Sequence, residues 1–358
     1  MENQNKEEIF FYREGNSLPV NRHLLKTSLD NNNNSNLNNI NEFNFPSQSI
    51  AISAPQDLKQ TKSITSKDQT SLGSYNNVIP SFPFLQITIL NSKTLPNGLK
   101  IYITQNGLFK STKQPTSDNN TKNNTITYFG FNEDKNETPS TSVDFYLPPL
   151  PNAPPEEKFI GKYFQITYND IMKKYLLKDL GIGLGTFIKI KESFLLKDNS
   201  LINIGDSFIV VNFESENDKQ QHDENVALTT IESKFQGVGK KVSLKIFEED
   251  PETHQHCTNM FTFEPNENKR VTIGRKNHGN DVELNDTLIS KTNSTMEYVE
   301  QEGWLIKDGK YEGNTNEMKP STNGTWVLAV EDYPITEGLI FKGHFNLFCC
   351  NLKSGVSK

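Results

Sequence analysis

Three short polar clusters in the last third of the chain carry the residue types that could bind an anion. Each cluster lies at the end of a short apolar run, where the loops of a β-sandwich would gather along one edge. A guanidinium, a hydroxyl, an amine and a side-chain amide, together with the backbone N–H groups of turns, suit an anion with several oxygens. No nucleophile and base pair accompanies them, so the pattern predicts binding and not catalysis. The clusters are Gly274-Arg275, Ser290-Lys291 and Thr322-Asn323-Gly324.

The order of these clusters resembles that of one protein family. Ile273-Gly-Arg, Ile289-Ser-Lys and Ser321-Thr-Asn-Gly-Thr-Trp follow one another along the chain. This succession resembles the forkhead-associated (FHA) domain across about residues 242–350, and several spaced motifs in the right order are stronger evidence than any single motif. The resemblance implies a β-sandwich that binds phosphothreonine peptides through the loops at one edge.

The resemblance also implies a role for each polar side chain of the clusters. Arg275 and Ser290 would contact the phosphate, which carries three acceptor oxygens. Asn323 would hydrogen-bond the peptide backbone through both its donor and its acceptor. Lys291 and Thr322 would assist them. These five residues are the predicted phosphopeptide-binding site.

Three further residues would shape the loops of this edge. Gly274 and Gly324 offer the backbone freedom that tight turns need, and Asn293 stands where the family usually has a histidine. An amide still donates and accepts hydrogen bonds but fills less space than an imidazole. Residues 309–320 form a longer loop than the family has, and this loop would either contact the ligand or partly cover the site.

Each cluster also has an ordinary interpretation that needs no ligand. Asn-Gly is the commonest signal of a short hairpin, but a hairpin turn explains residues 322–324 alone and leaves the upstream arginine and serine clusters unexplained. The other interpretations are a surface Arg275 paired with Asp281 or Asp286, a Ser290 hydroxyl that caps a loop amide, and a solvated Lys291.

A second, degenerate copy of the same pattern lies upstream. Where the family has Gly-Arg, this chain has Gly130-Phe131, and where the family has Ile-Ser-Arg it has Ile160-Gly161-Lys162. The third motif is replaced by Ile182-Gly183-Leu184-Gly185-Thr186. The turn glycines remain, while Lys162 alone survives of the anion-binding groups. The pattern predicts a divergent internal repeat that keeps the fold and has lost the anion site.

Short apolar runs bounded by Asn, Gly and Pro fill the chain from residue 82 onward. Alternation with β-branched and aromatic residues predicts strands, as in Leu85-Gln-Ile-Thr-Ile-Leu and Val242-Ser-Leu-Lys-Ile-Phe. The polar, Asn-rich start of the chain cannot bury enough apolar surface to fold. We therefore predict an all-β protein with two tandem FHA-like β-sandwiches of the SMAD/FHA type after a disordered tail. The predicted boundaries are a tail at 1–80, a degenerate FHA-like sandwich at 81–213, a polar linker at 214–240 and an FHA domain at 241–352.

Composition argues against several other classes of protein. A net charge of -7 and a pI near 5.5 disfavour a general nucleic-acid binder, which needs a basic face. Three cysteines without CxxC spacing predict neither disulfides nor a structural zinc site, and His254-Gln-His-Cys257 lacks further ligands at a helpful spacing. We predict no metal and no cofactor. Without a secretory signal or a run of ~18 apolar residues, the chain is expected to be intracellular, in the cytoplasm or the nucleus.

These observations predict a non-enzymatic adaptor that binds threonine-phosphorylated partner proteins, and neither nucleic acid nor membranes. The alternative is a constitutive structural scaffold whose β-sandwiches make phosphate-independent contacts. The tail offers candidate ligands of its own, because Asp30 follows Thr27 by three residues and Asp68 follows Thr65 by three residues. The family commonly selects on that position. If a kinase modified these threonines, the tail would bind the C-terminal domain of its own or a neighbouring molecule.

Overall fold

The computed structural model describes most of the chain from residue 83 onward and two short strands before it. Thr27, Thr65 and nearly all of the predicted tail lie outside the described residues. We call the described residues of 83–214 the first half and those of 237–354 the second half. The described ranges are 8–12, 17–21, 83–109, 125–132, 142–150, 153–154, 158–214, 237–249, 256–266, 269–313 and 317–354.

Every regular element in these ranges is a β-strand, which confirms the predicted all-β class. No helix long and apolar enough to cross a bilayer occurs in the described ranges. Within the predicted tail, β1 (Glu8–Tyr12) pairs antiparallel with β2 (Ser17–Asn21).

The first half contributes eleven strands. They are β3 (Phe84–Ser92), β4 (Lys100–Thr104), β5 (Gly107–Leu108), β6 (Ile126–Phe131), β7 (Phe145–Tyr146), β8 (Gly161–Asn169), β9 (Lys174–Asp179), β10 (Thr186–Lys189), β11 (Phe194–Leu195), β12 (Leu201–Ile204) and β13 (Ser207–Glu214).

The second half contributes twelve strands. They are β14 (Lys241–Glu249), β15 (His256–Phe263), β16 (Arg270–Arg275), β17 (Val282–Leu284), β18 (Ser294–Val299), β19 (Gly303–Asp308), β20 (Lys310–Tyr311), β21 (Met318–Lys319), β22 (Trp326–Leu328), β23 (Tyr333–Pro334), β24 (Ile340–Gly343) and β25 (Asn346–Lys353).

Hydrophobic alternation explains why these segments form strands. In β14, Val242, Leu244 and Ile246 are fully buried and point to one face, as the two-residue period of a strand requires. In β3, Leu85 and Ile87 do the same. Burying one apolar face of each strand requires a second layer to cover it.

Apart from the two-stranded pairs β1-β2 and β20-β21, the described strands form one long sheet and two sheets of five strands. The long sheet has the order β15-β14-β13-β12-β22-β10-β24-β25-β3-β4-β5. The five-stranded sheets have the orders β7-β6-β8-β9-β23 and β17-β16-β18-β19-β11. These two orders correspond position by position, and in each the outermost pair, β6 with β7 and β16 with β17, is parallel.

The larger of two buried hydrophobic clusters joins the three larger sheets. Phe164 of β8 contacts Phe341 of β24 and Phe348 of β25, with ring centroids 5.5 and 5.8 Å apart. Trp304 of β19 is almost completely buried in the same cluster. The long sheet is thus one layer, and the five-stranded sheets pack against it.

The strand pairing exchanges the ends of the two halves. The first strand of the first half, β3, pairs along its length with β25, the last strand of the second half. In the same way, β14 of the second half pairs with β13, the last strand of the first half. Each five-stranded sheet also receives its last strand from the other half, β23 beside β9 and β11 beside β19.

The exchange is centred on the antiparallel pair β10 and β22. Ile188 lies opposite Val327, and both side chains are buried. Phe187 pairs with Leu328, and Lys189 pairs with Trp326, so the two strands are related by an approximate two-fold axis. Neither half closes its sheets without strands from the other half.

We predict that the two halves fold together and not separately. Expressed alone, the stretches 83–214 and 237–354 each lack the partners of their first strand, since β3 needs β25 and β14 needs β13. Co-expressed, they should form a 1:1 complex with the circular dichroism of the intact chain. Size-exclusion chromatography with light scattering measures this.

The intact chain serves as the control for this experiment. A stable monomer of either fragment, with a cooperative unfolding transition of its own, would show that each half can close on its own strands and would contradict the exchange.

Candidate functional site

The predicted clusters lie on three adjacent loops, which we call the Arg275 edge: the end of β16, residues 287–292, and residues 321–325. Hydrogen bonds join these loops to one another. The backbone N–H of Arg275 donates to Ser290 O and Lys291 O at 3.3 and 3.2 Å. The Ser290 hydroxyl accepts a hydrogen bond from the Thr322 N–H at 2.9 Å. Groups that are far apart in the sequence are therefore in contact.

Close packing explains the glycine before Arg275. A Cβ at position 274 would lie 2.3 Å from Lys291 O, far inside van der Waals contact. Glycine therefore allows β16 to approach the Ser290-Lys291 loop. Asn280 strengthens this junction, because its side-chain amide donates to Arg275 O at 3.1 Å and to Lys291 O at 2.7 Å.

The Arg275 guanidinium is only half-buried and is not neutralised by a carboxylate of the described residues. One of its terminal nitrogens, Nη1, donates to Thr287 O at 2.9 Å. Its Nε is buried and has no hydrogen-bond partner in the described structure. A cationic fork with donors left over can bind an oxyanion through charge-assisted hydrogen bonds.

The two carboxylates considered as partners of Arg275 are used elsewhere. Asp281 accepts hydrogen bonds from the N–H and the hydroxyl of Thr272, each at 2.9 Å. Asp286 accepts from Leu288 N–H at 2.7 Å and from Asp206 N–H at 3.0 Å. The second contact is made by the β12–β13 turn of the first half, which therefore supports the loop that carries Ser290.

The Ser290 hydroxyl caps the backbone amide of Thr322, as the interpretation that needs no ligand predicts. Besides the Thr322 N–H it contacts Thr322 Oγ1 at 3.3 Å. A hydroxyl has one donor and two acceptor sites. Accepting from Thr322 N–H therefore leaves its own hydrogen free to turn from Thr322 Oγ1 toward a ligand oxygen. Lys291 beside it is exposed.

Asn323 is exposed at the tip of the third loop. Its side-chain amide donates to Leu288 O at 3.0 Å, and its backbone carbonyl accepts from the Trp326 indole N–H at 3.0 Å. The Leu288 side chain is 69% exposed directly beside it. Gly324 has φ +83, a conformation that favours glycine.

Asn293 lies beneath the loops and joins two of them. Its side chain is fully buried, and its Nδ2 lies 3.3 to 3.4 Å from Ser294 Oγ, Thr325 Oγ1 and Gly324 O. The amide thus reaches the 321–325 loop from the strand that follows Ser290-Lys291. Its Oδ1 is buried and has no hydrogen-bond partner among the described residues.

Asp308 is a further support of this edge that sequence patterns alone did not suggest. It accepts hydrogen bonds from the hydroxyls of Ser321 and Thr325 at 2.7 and 2.8 Å. The loop after Asp308 contains the two-stranded ribbon β20–β21. Its Tyr311 ring lies 3.6 Å from the Arg270 guanidinium, at the other end of β16 from Arg275.

The loop after Arg275 is closed by a carboxylate. Glu283 accepts the backbone N–H of Gly279 at 3.1 Å, and backbone hydrogen bonds, first that of Asn277, lower the pKa of Glu283. Asn277 and Gly279 both have positive φ, +65 and +73. The turn is therefore held in place by a side chain of the next strand.

The corresponding edge of the first half, which we call the Phe131 edge, has the same close backbone approach but a phenylalanine at the position of the arginine. A Cβ at Gly130 would lie 2.0 Å from Gly161 O, the same conflict as at Gly274. Phe131 is buried where Arg275 is half-buried. The surviving Lys162 lies with its Nζ 4.0 Å from the centre of the Tyr128 ring.

A histidine from the second half closes the Phe131 edge. His344, in the turn between β24 and β25, has its ring 4.5 Å from that of Tyr163 and 6.1 Å from that of Phe159. Neither of its ring nitrogens has a hydrogen-bond partner in the described ranges. Burial lowers the pKa of His344 to about 3, so the ring is neutral at pH 7.

Comparisons of the chain with protein-family models, with curated proteins and with solved structures find no match. The chemistry of the two edges is therefore the basis on which a function is proposed. No group of three or more His, Cys, Asp or Glu side chains suited to a metal ion occurs in the described residues.

We predict that His344 makes the protein acid-sensitive. Its pKa is about 3 in the folded chain and 6.5 in an unperturbed histidine, so the unfolded state binds an extra proton below pH 6.5. Its contribution should lower the free energy of unfolding by roughly 2 kcal/mol between pH 7 and pH 5. Urea unfolding at a series of pH values measures this.

The matched variants are His344→Asn and His278→Asn. Asparagine tolerates the positive φ of +54 at position 344, and His278 is exposed. The first substitution should flatten the pH dependence and the second should leave it unchanged. An unaltered slope in the His344 variant would refute the assignment.

Proposed function

We propose that this protein is a non-enzymatic adaptor that binds phosphothreonine peptides of partner proteins at the Arg275 edge. The observation that carries the proposal is the junction of Arg275, Ser290 and Thr322, which come from three separate loops. The Arg275 guanidinium at this junction has no carboxylate partner in the described structure. Such an arrangement leaves a local cation on a chain with a net charge of -7.

The phosphate would be held by Arg275, Ser290 and Lys291. A phosphate ester carries about -1.5 to -2 charge at pH 7 and three acceptor oxygens. The free guanidinium donors would bind two of these oxygens, and the rotated Ser290 hydroxyl would donate to the third. Exposed Lys291 adds a second positive charge, and Thr322 keeps the serine oxygen in place.

The peptide backbone would be held by Asn323. Its side-chain oxygen is free to accept, and its Nδ2 can exchange the Leu288 carbonyl for a peptide carbonyl. Because Gly324 and Asn293 fix the loop from below, the amide is presented on a rigid turn. A rigid turn lowers the entropic cost of binding.

The finer fold proposed is a pair of FHA-like sandwiches of the SMAD/FHA type, each completed by strands of the other half. In this proposal the first half serves as a structural partner. Its Phe131 edge has a buried phenylalanine in place of the arginine and would not bind phosphate. The proposed partners are threonine-phosphorylated proteins of the cytoplasm or nucleus. They include the chain's own tail, if Thr27 or Thr65 is phosphorylated.

A constitutive scaffold is the second candidate. It is favoured by the fact that Ser290 and Asn323 already have hydrogen-bond partners within the loops. In that case both edges would make contacts that do not depend on phosphate. The two candidates differ in their response to a phosphopeptide.

We predict that Arg275→Ala weakens phosphothreonine-peptide binding at least about 30-fold. Removing one partner of a desolvated charge pair costs about 2–5 kcal/mol. Fluorescence titration of the intact chain measures this. The ligand is a degenerate peptide library whose central residue is threonine, phosphoserine or phosphothreonine.

The matched control is Arg270→Ala, at the opposite end of the same strand. Its guanidinium stacks on Tyr311 and lies away from the loops of the edge. This variant should bind as the wild type does, and both variants should stay folded by circular dichroism. Equal binding of the Thr and phosphothreonine forms would favour the scaffold.

A further inference from the structure

Lys189 of the first half lies at the Arg275 edge, although nothing in the sequence connects it with that site. It is the last residue of β10 and pairs with Trp326, just after the Asn323-Gly324 turn. The next residue, Ile190, donates its N–H to Thr325 O at 3.0 Å. Main-chain hydrogen bonds therefore hold Lys189 in a defined place beside the turn.

The side chain of Lys189 packs on the face of Gly324. A Cβ at position 324 would lie 2.4 Å from Lys189 Cε and 3.0 Å from its Nζ. The glycine thus leaves the space that the ammonium group occupies. Asn323, the residue proposed to hold the peptide backbone, is the immediate neighbour of this glycine.

The ammonium of Lys189 has no anionic partner in the described part of the chain. Its Nζ lies 5.8 Å from the centre of the Trp326 ring. Two other lysines, Lys197 and Lys241, do have such partners, in Glu331 and Glu264. Lys342 Nζ lies 4.9 Å from the same indole, but burial lowers the pKa of Lys342 to about 7, so this amine is only partly protonated at pH 7.

The approximate two-fold axis supplies an internal comparison. At the Phe131 edge the glycine that corresponds to Gly324 is Gly185, with φ +81. A Cβ there would lie 3.0 Å from Leu328 Cδ1. The residue of the paired strand that packs against this glycine is therefore a leucine, Leu328, at the Phe131 edge and a lysine, Lys189, at the Arg275 edge.

We propose that Lys189 binds an acidic side chain of the phosphopeptide and so selects among ligands of the Arg275 edge. This inference rests on the proposed phosphopeptide binding. The phosphate would occupy Arg275 and Ser290 while the backbone passes Asn323. A residue of extended peptide spans about 3.3 Å, so aspartate or glutamate within about three residues of the phosphothreonine reaches the ammonium. The first half then determines specificity for a site built by the second half.

The test is a fluorescence titration of the intact chain with paired phosphothreonine peptides. In each pair one flanking position, from three residues before to three after the phosphothreonine, is aspartate or its neutral isostere asparagine. For the wild type, aspartate should strengthen binding about 3- to 10-fold at one or two positions, as expected for a half-buried ion pair. The effect should decline as salt is added.

Two variants of Lys189 separate charge from packing. Lys189→Leu, which installs the side chain found at the corresponding position 328, should abolish the aspartate preference and leave binding of the asparagine peptides unchanged. Lys189→Glu should instead favour lysine at the same position. The control Lys245→Met, on β14 of the same sheet, should behave as the wild type.

The outcomes separate this inference from the function on which it rests. Strong phosphothreonine binding with no aspartate preference, or with a preference that Lys189→Leu retains, overturns the role of Lys189 alone. Absence of phosphothreonine binding overturns both proposals. Reversal of the charge preference by Lys189→Glu supports both.

Discussion

The antiparallel pairing of β10 with β22 is the interaction on which the rest of the structure depends. It places Ile188 against Val327 in the middle of the long sheet and fixes the two halves about an approximate two-fold axis. From this point the chain continues into the opposite half, so that β13 completes the sheet of β14 and β25 completes that of β3. Long-range pairing of this kind joins the two halves in one continuous sheet.

The exchange also has consequences for the candidate site. The loop that carries Ser290 is supported by the β12–β13 turn through Asp286, and the turn at Gly324 is covered by Lys189. Both supports come from the first half. The Arg275 edge is therefore a joint product of the two halves, even though all five of its predicted binding residues lie in the second.

The two edges show which residues shape the backbone and which carry charge. Gly130 and Gly274 meet the same kind of backbone conflict, and Gly185 and Gly324 share a φ near +80. These glycines are needed by the fold wherever it occurs. Phe131 in place of Arg275, and Leu328 in place of Lys189, change the chemistry of an edge, while the glycines that shape its backbone are the same.

Local patterns in the sequence determined the strands and the glycine turns, because alternation and backbone freedom are properties of neighbouring residues. The clusters at Arg275, Ser290 and Asn323 could also be predicted to meet, since each lies at the end of a short apolar run. The partner of each strand could not be predicted from the sequence, because β25 and β13 are equally apolar and either could pair with β3. That choice is made by the packing of the whole chain, and it alone brings Lys189 and the β12–β13 turn to the Arg275 edge.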